Sequence, residues 1–163
     1  MAIAYLLLGS NLGDRKNYID QAVEKIKNLG QINQMSSYYE SEAWGGQTEQ
    51  AFINVALEIH TELSPYELLE DLLSIELELG RVRDLNKKYG ERSIDIDIQF
   101  YDDLIIQTNK LDIPHPRMQD RKFALAPLSE LNPKHVHPIL MKELKDLLKE
   151  CNDKLMVNVC KNL

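Results

Sequence analysis

The chain has 163 residues and a formal net charge of −7 at pH 7, from 19 Lys and Arg against 26 Asp and Glu. That length is one domain's worth, and 44% hydrophobic with 28% charged residues is the balance of a globular chain. The acidic excess excludes non-specific binding to duplex DNA or to an anionic membrane, both of which need a positive field.

Residues Met1–Leu8 form an unbroken apolar run that reads as a buried strand, ended by Gly9-Ser10-Asn11-Leu12-Gly13. The run is too short to span a bilayer and has neither a basic leader nor a small-residue cleavage site. Asp14 then caps a helix in which Tyr18, Ile19, Ala22, Val23, Ile26 and Leu29 recur at helical spacing, with Gly30 as the stop. Ile32–Ser41 reads as a second strand, and residues 42–50 as a loop with paired glycines. Phe52–Thr61 alternates strictly, with Ile53, Val55, Leu57 and Ile59 as its apolar face, and is a third strand.

Ser64, Pro65 and Glu67 combine an N-cap, a first-turn proline and a capping box. The helix they start continues through Leu68, Leu69, Leu72, Ile75, Glu76 and Leu79 to Gly80. Residues 81–92 are a polar loop without periodicity. Ser93–Tyr101 is a fourth strand, with Ile94, Ile96, Ile98 and Phe100 on one face and Asp95, Asp97 and Gln99 on the other. Leu104–Ile106 and Leu111–Ile113 pair as a short hairpin. Pro114, Pro116, Pro127, Pro133 and Pro138 break the C-terminal third into short pieces, before a last amphipathic helix over about Met141–Lys149. The order βαββαβ predicts a single α+β domain over 1–163 with a ferredoxin-like core. Its sheet is mainly antiparallel, with both helices on one face and the other face free to carry a site. A C-terminal hairpin and extra helices are appended.

The charges are unevenly placed. Residues 81–122 hold nine Lys and Arg against eight Asp and Glu, which is +1 there and −8 elsewhere, and every Arg except Arg15 lies in that segment. Arginine forks onto phosphate. Asp95 and Asp97 are two apart on a strand, so they share a face, with Cα atoms roughly 6.5–7 Å apart. The pair is either a solvated strand face or a site for a hard cation; oxygen donors without Cys or His suit Mg²⁺ with substrate phosphates. Arg81, Arg83, Lys87, Lys88 and Arg92 on the preceding loop are either a solubilising turn or the flanks of a polyphosphate site. His115, between Pro114 and Pro116, either donates to phosphate or caps a turn. Phe52 and Asn54, on one strand face, either pack internally or stack on and hydrogen-bond a flat heterocycle. Gly9–Gly13 is a strand-to-helix turn more than a phosphate cradle, and no Walker-type loop is present. Cys151 and Cys160 have no metal-ligand spacing and no histidine placed for catalysis, and read as ordinary thiols of a cytoplasmic protein.

Several blocks of the chain resemble the 6-hydroxymethyl-7,8-dihydropterin pyrophosphokinase family in order and over nearly the whole length. They are residues 5–13, Phe52-Ile53-Asn54-Val55, Glu76 with Gly80–Arg83, Gly90–Asp97, Ile113–Met118, and Arg121 with Phe123. The resemblance implies transfer of diphosphate from ATP to the pterin hydroxymethyl group, with release of AMP, as a step of folate biosynthesis. It implies two Mg²⁺ ions on Asp95 and Asp97. It assigns Glu76, Arg81, Arg83, Arg92, His115 and Arg121 to ATP. It places the pterin between Phe52 and Phe123, with Asn54 on its ring and Ser41, Ala43, Trp44 and Tyr89 from loops. ATP and the pterin are then the expected partners of a monomeric, cytoplasmic enzyme. The sequence departs from the family pattern at Ser41–Trp44, Lys88, Tyr89, Gln99 and Pro116, which bears on loop contacts rather than on the reaction. Two rivals are a non-catalytic ferredoxin-like binding domain and a pyrophosphokinase for another hydroxyl acceptor.

Overall fold

The computed structural model describes residues 1–42, 50–80, 93–161 and 163. The elements in chain order are β1 (Ala2–Ser10), α1 (Arg15–Ile26), β2 (Gln31–Met35), β3 (Tyr39–Ser41), β4 (Phe52–Thr61), α2 (Pro65–Glu78) and β5 (Asp95–Tyr101). After them come β6 (Ile106–Gln107), β7 (Asp112–Ile113), a 3₁₀ turn at Met118–Asp120, α3 (Lys122–Leu131), α4 (Leu144–Glu150) and β8 (Val157–Val159). The main sheet runs β5-β1-β4-β3-β8, with β2 also on β4, and every pairing is antiparallel. Its core is the expected ferredoxin-like arrangement.

Both long helices start where their caps predict. Asp14 accepts the Asn17 N–H. Ser64 Oγ accepts the Glu67 N–H while the Glu67 carboxylate accepts the Ser64 N–H at 2.8 Å. Their apolar stripes, Ile19, Ala22 and Ile26 on α1 and Leu68, Leu72 and Ile75 on α2, are buried against one sheet face. That face is built from Leu6, Leu8, Ile53, Val55, Leu57, Ile59, Ile94, Ile96 and Ile98. β6 and β7 pair as the expected hairpin.

Three expectations are corrected and one unexpected strand is added. The span Ile32–Ser41 is two strands, because pairing with β4 shifts register between Ile32 and Gln34, and Ser36 turns to bond Ala56 by both its N–H and its hydroxyl. The opposite sheet face is not free. Tyr5, Leu7, Ala56 and Phe100 carry a second core there, with Met118, Ala124, Leu125 and Leu128 and with Leu144 and Leu147 of α4. Pro127 does not break the chain. It lies buried inside α3, one backbone hydrogen bond is forgone, and the burial of Ala124, Leu125, Leu128 and Leu131 outweighs the loss. Finally, β8 had no sequence signal; it extends the sheet by pairing Val157 with Ser41 and Val159 with Tyr39. Among the described residues no helix is long and apolar enough to cross a membrane.

Candidate functional site

Phe100 departs from the strict alternation of its strand. Tyr5 pairs with Phe100, but the next residue, Leu6, pairs with Ile98. Gln99 is therefore an extra residue, a β-bulge. The bulge swaps faces: Ile94, Ile96, Ile98 and Tyr101 point to α1 and α2, while Phe100 joins the second core. Asp95 and Asp97 lie on the same side as Phe100, at the end of the sheet that α3 and α4 leave open. Both are half-buried, and the Asp97 side chain is 39% exposed, so a ligand can reach it.

Two neighbours organise this pair. Glu76 of α2 is buried, and its carboxylate accepts the Ile96 N–H at 2.8 Å. Because β5 is an edge strand, that amide faces away from the sheet, and Glu76 holds the backbone between the two aspartates. His115 is set by the bulge: its N–H donates to the Gln99 carbonyl at 3.0 Å. Its Nδ1 accepts the Arg117 N–H at 3.2 Å, which leaves the other ring nitrogen as the donor. That Nε2 lies 4.0 Å from Asp97 Oδ2. Burial, with Arg121 next, pushes the imidazole down to about 4 against the pull of Asp95. The contact is therefore that of a neutral donor beside a carboxylate, not an ion pair.

Across β1 lies a second group. Gly9 pairs with Asp95 on one side and with Asn54 on the other, and Leu7 pairs with Asp97 and Ala56. Asn54, Gly9 and Asp95 thus form one row over three strands, with the outer two about 10 Å apart at ordinary strand spacing. Asn54 is buried, and its Nδ2 donates to Ser41 Oγ of β3 at 2.7 Å. Phe52 stands two residues before it on the same face, half-buried. Phe123 opens α3 with the Arg121 guanidinium 5.6 Å from its ring centre, a cation–π distance.

The structure thus brings together Asp95, Asp97, His115 and Glu76 on one side of β1 and Ser41, Phe52 and Asn54 on the other. Arg121 and Phe123 stand at the start of α3. Ala43, Trp44, Arg81, Arg83, Tyr89 and Arg92 lie outside the described residues. Sequence reasoning missed two contributors. Gln99 stands out in the sequence only as a departure from the family pattern, and its place in the alternation gives no sign of a bulge. Gly9 reads as part of a turn and of the 5–13 block that resembles the family, with no role of its own.

Solved structures share this fold. A Plasmodium falciparum HPPK-DHPS A437G/K540E structure with pterin and p-hydroxybenzoate superposes with a TM-score of 0.73 over 91% of this chain, at 16% identity. The present chain spans 43% of that longer one. The likeness establishes an α+β domain of the ferredoxin-like type. Residues 5–133 match the family model described as 7,8-dihydro-6-hydroxymethylpterin-pyrophosphokinase (HPPK). The 2-amino-4-hydroxy-6-hydroxymethyldihydropteridine pyrophosphokinase of Aquifex aeolicus is 44% identical over 150 residues, 92% of each chain. That of Bacillus subtilis is 44% identical over 131 residues, 79% of this chain and 77% of the relative. The chain belongs to the HPPK family.

Proposed function

We propose that the chain transfers diphosphate from ATP to the hydroxymethyl group of 6-hydroxymethyl-7,8-dihydropterin and releases AMP, as a step of folate biosynthesis. The observation that carries the reading is the row Asn54–Gly9–Asp95. It sets the Asn54 position about 10 Å from that of Asp95 across two strand spacings, with Phe52 and Asp97 on the same sheet face. A bicyclic heterocycle lying across β1 would meet Asn54 and Phe52 at one end and extend its hydroxymethyl arm toward Asp95 and Asp97. Phe123 closes the heterocycle from the α3 side, and Ser41, Ala43, Trp44 and Tyr89 complete its surroundings.

Asp95 and Asp97 fit Mg²⁺: two hard oxygen donors share a face, and no thiolate competes. Two Mg²⁺ held there would neutralise the phosphates and polarise the transferring group, and would bring the 81–122 segment from +1 to about +5 against the roughly −4 of ATP. The protein's own residues then position. Arg81, Arg83, Arg92 and Arg121 take the triphosphate oxygens, and neutral His115 donates its Nε2–H to one of them. Glu76 acts from behind, by holding the backbone of Ile96 between the two aspartates. The β-phosphorus accepts the substrate oxygen, the α,β-bridging oxygen leaves with AMP, and the hydroxyl proton passes to solvent. Such transfer depends on alignment and charge stabilisation more than on covalent catalysis. ATP as co-substrate and the two unpaired thiols support a cytoplasmic enzyme.

The test is AMP release by the purified chain with ATP, Mg²⁺ and hydroxymethyldihydropterin. AMP appearing only when all three are present is the expected result. AMP release without the pterin, or equal activity in excess EDTA, would overturn the reading.

A further inference from the structure

Gly9 is buried near the end of β1, and its φ is not in the left-handed region. Any residue can adopt that backbone, so the glycine is there for space rather than for conformation. A Cβ at position 9 would stand 3.1 Å from Asn54 Oδ1 and 3.6 Å from Phe52 Cδ1. The first is tighter than an ordinary Cβ contact, so the amide oxygen would have to give by a few tenths of an ångström, and the second is ordinary. The Asn54 amide cannot simply retreat: its Nδ2 is held on the far side by Ser41 Oγ at 2.7 Å, and both residues are only 2% exposed. The amide is thus fixed between β3 and β1, with its oxygen toward the row that leads to Asp95.

We propose that Gly9 is a positioning residue for the heterocycle. By lacking a side chain it lets Asn54 Oδ1 and the Phe52 ring lean over β1, so that the acceptor oxygen meets the substrate ring while the substrate arm still reaches the aspartates. This rests on the pterin reading above. A methyl group at position 9 displaces Asn54 Oδ1 and touches none of the phosphate-side residues, so its effect falls on one substrate only.

The experiment compares the wild type, Gly9→Ala, Asn54→Ala and the double variant by steady-state kinetics for both substrates. Gly9→Ala is expected to raise KM for the pterin at least tenfold and to leave KM for ATP within twofold. In the Asn54→Ala background the same change adds less than twofold, because the group it displaces is gone. An unchanged pterin KM in Gly9→Ala, or a second tenfold rise in the Asn54→Ala background, would overturn the role of Gly9. If Gly9→Ala does not fold, Asn54→Ala and the double variant decide it alone: equal melting temperatures and equal pterin KM support the proposal, and a further loss in either overturns it. A wild-type chain that releases no AMP overturns the activity itself, which separates that failure from this one.

Discussion

The backbone N–H of His115 donates to the carbonyl of Gln99 at 3.0 Å, so the residue that breaks the pairing of β5 also seats the imidazole beside Asp97. The bulge has two consequences. It sends Phe100 to the second core, where it is fully buried and packs edge-on against Tyr5 at 6.0 Å between ring centres. It also turns a carbonyl outward at the point where the 114–117 segment passes.

Deleting Gln99 removes the bulge and returns β5 to strict alternation. Ile98 and Phe100 then become neighbours and keep the opposite faces they have now, so both cores survive; what is lost is the Gln99 carbonyl that accepts the His115 N–H. The deletion variant is expected to fold and to lose turnover, because His115 loses the carbonyl that seats it beside Asp97. The substitution Gln99→Leu keeps the backbone and the His115 bond. It also removes a buried side-chain oxygen that has no hydrogen-bond partner among the described residues. That variant should gain about 1 kcal/mol, seen as a higher melting temperature with unchanged turnover. A deletion variant with wild-type turnover would show that the bulge is dispensable.

This bulge marks the boundary of what the sequence reveals. β1, β4 and both long helices are legible because their periodicity and caps are local, as with Ser64 and Glu67. The face shared by Asp95 and Asp97, and that shared by Phe52 and Asn54, follow from the two-residue period alone. The bulge is not legible, since Ile98-Gln99-Phe100 continues the apolar–polar rhythm without a break. α3 is hidden by Pro127, whose local cost is overruled by long-range burial. The row Asn54–Gly9–Asp95 is invisible for a different reason: it depends on register between strands more than forty residues apart in sequence, and periodicity within one strand says nothing about its neighbour's offset.

Asp97→Asn keeps the shape of the site and removes one of its two charges. If the pair holds Mg²⁺ for phosphate transfer, turnover should fall by roughly 10²–10³-fold or more, and no Mg²⁺ concentration should restore it fully. The residue is 39% exposed, so the melting temperature should stay within a few degrees of the wild type. Near-normal turnover in this folded variant would remove the aspartate from the chemistry.

Ser64→Ala tests the start of α2, the helix that carries Glu76. The hydroxyl accepts the Glu67 N–H, and losing such an N-cap typically costs about 1 kcal/mol, or roughly 2–4 °C in a chain of this size. Position 64 is about three helical turns from Glu76, so turnover at 25 °C should not change. A loss of activity larger than the loss of folded protein would show that helix placement, and not only helix stability, depends on this cap.

Glu130 supplies an acid-sensitive tie between α3 and β3. Its carboxylate accepts the Ser37 N–H and hydroxyl, both at 2.9 Å, and the Tyr39 hydroxyl. Partial burial pushes its pKa up, but the hydrogen bonds from Tyr39 and Ser37 prevail and hold it below the usual glutamate value. Tyr39 is correspondingly raised by burial and by the same carboxylate. A carboxyl depressed on folding contributes stability that is complete above its unfolded pKa, near 4.3, and is lost as pH falls through the lower folded value. Glu130→Gln should therefore melt lower than the wild type at pH 7, and the gap should close as the pH drops below about 4. Urea unfolding of both proteins between pH 3 and pH 7 measures it. Since Tyr39 precedes Ser41 by two residues on β3, the same variant should also weaken pterin binding modestly. A stability gap that stays constant across the pH range would mean that Glu130 acts by packing and not through its charge.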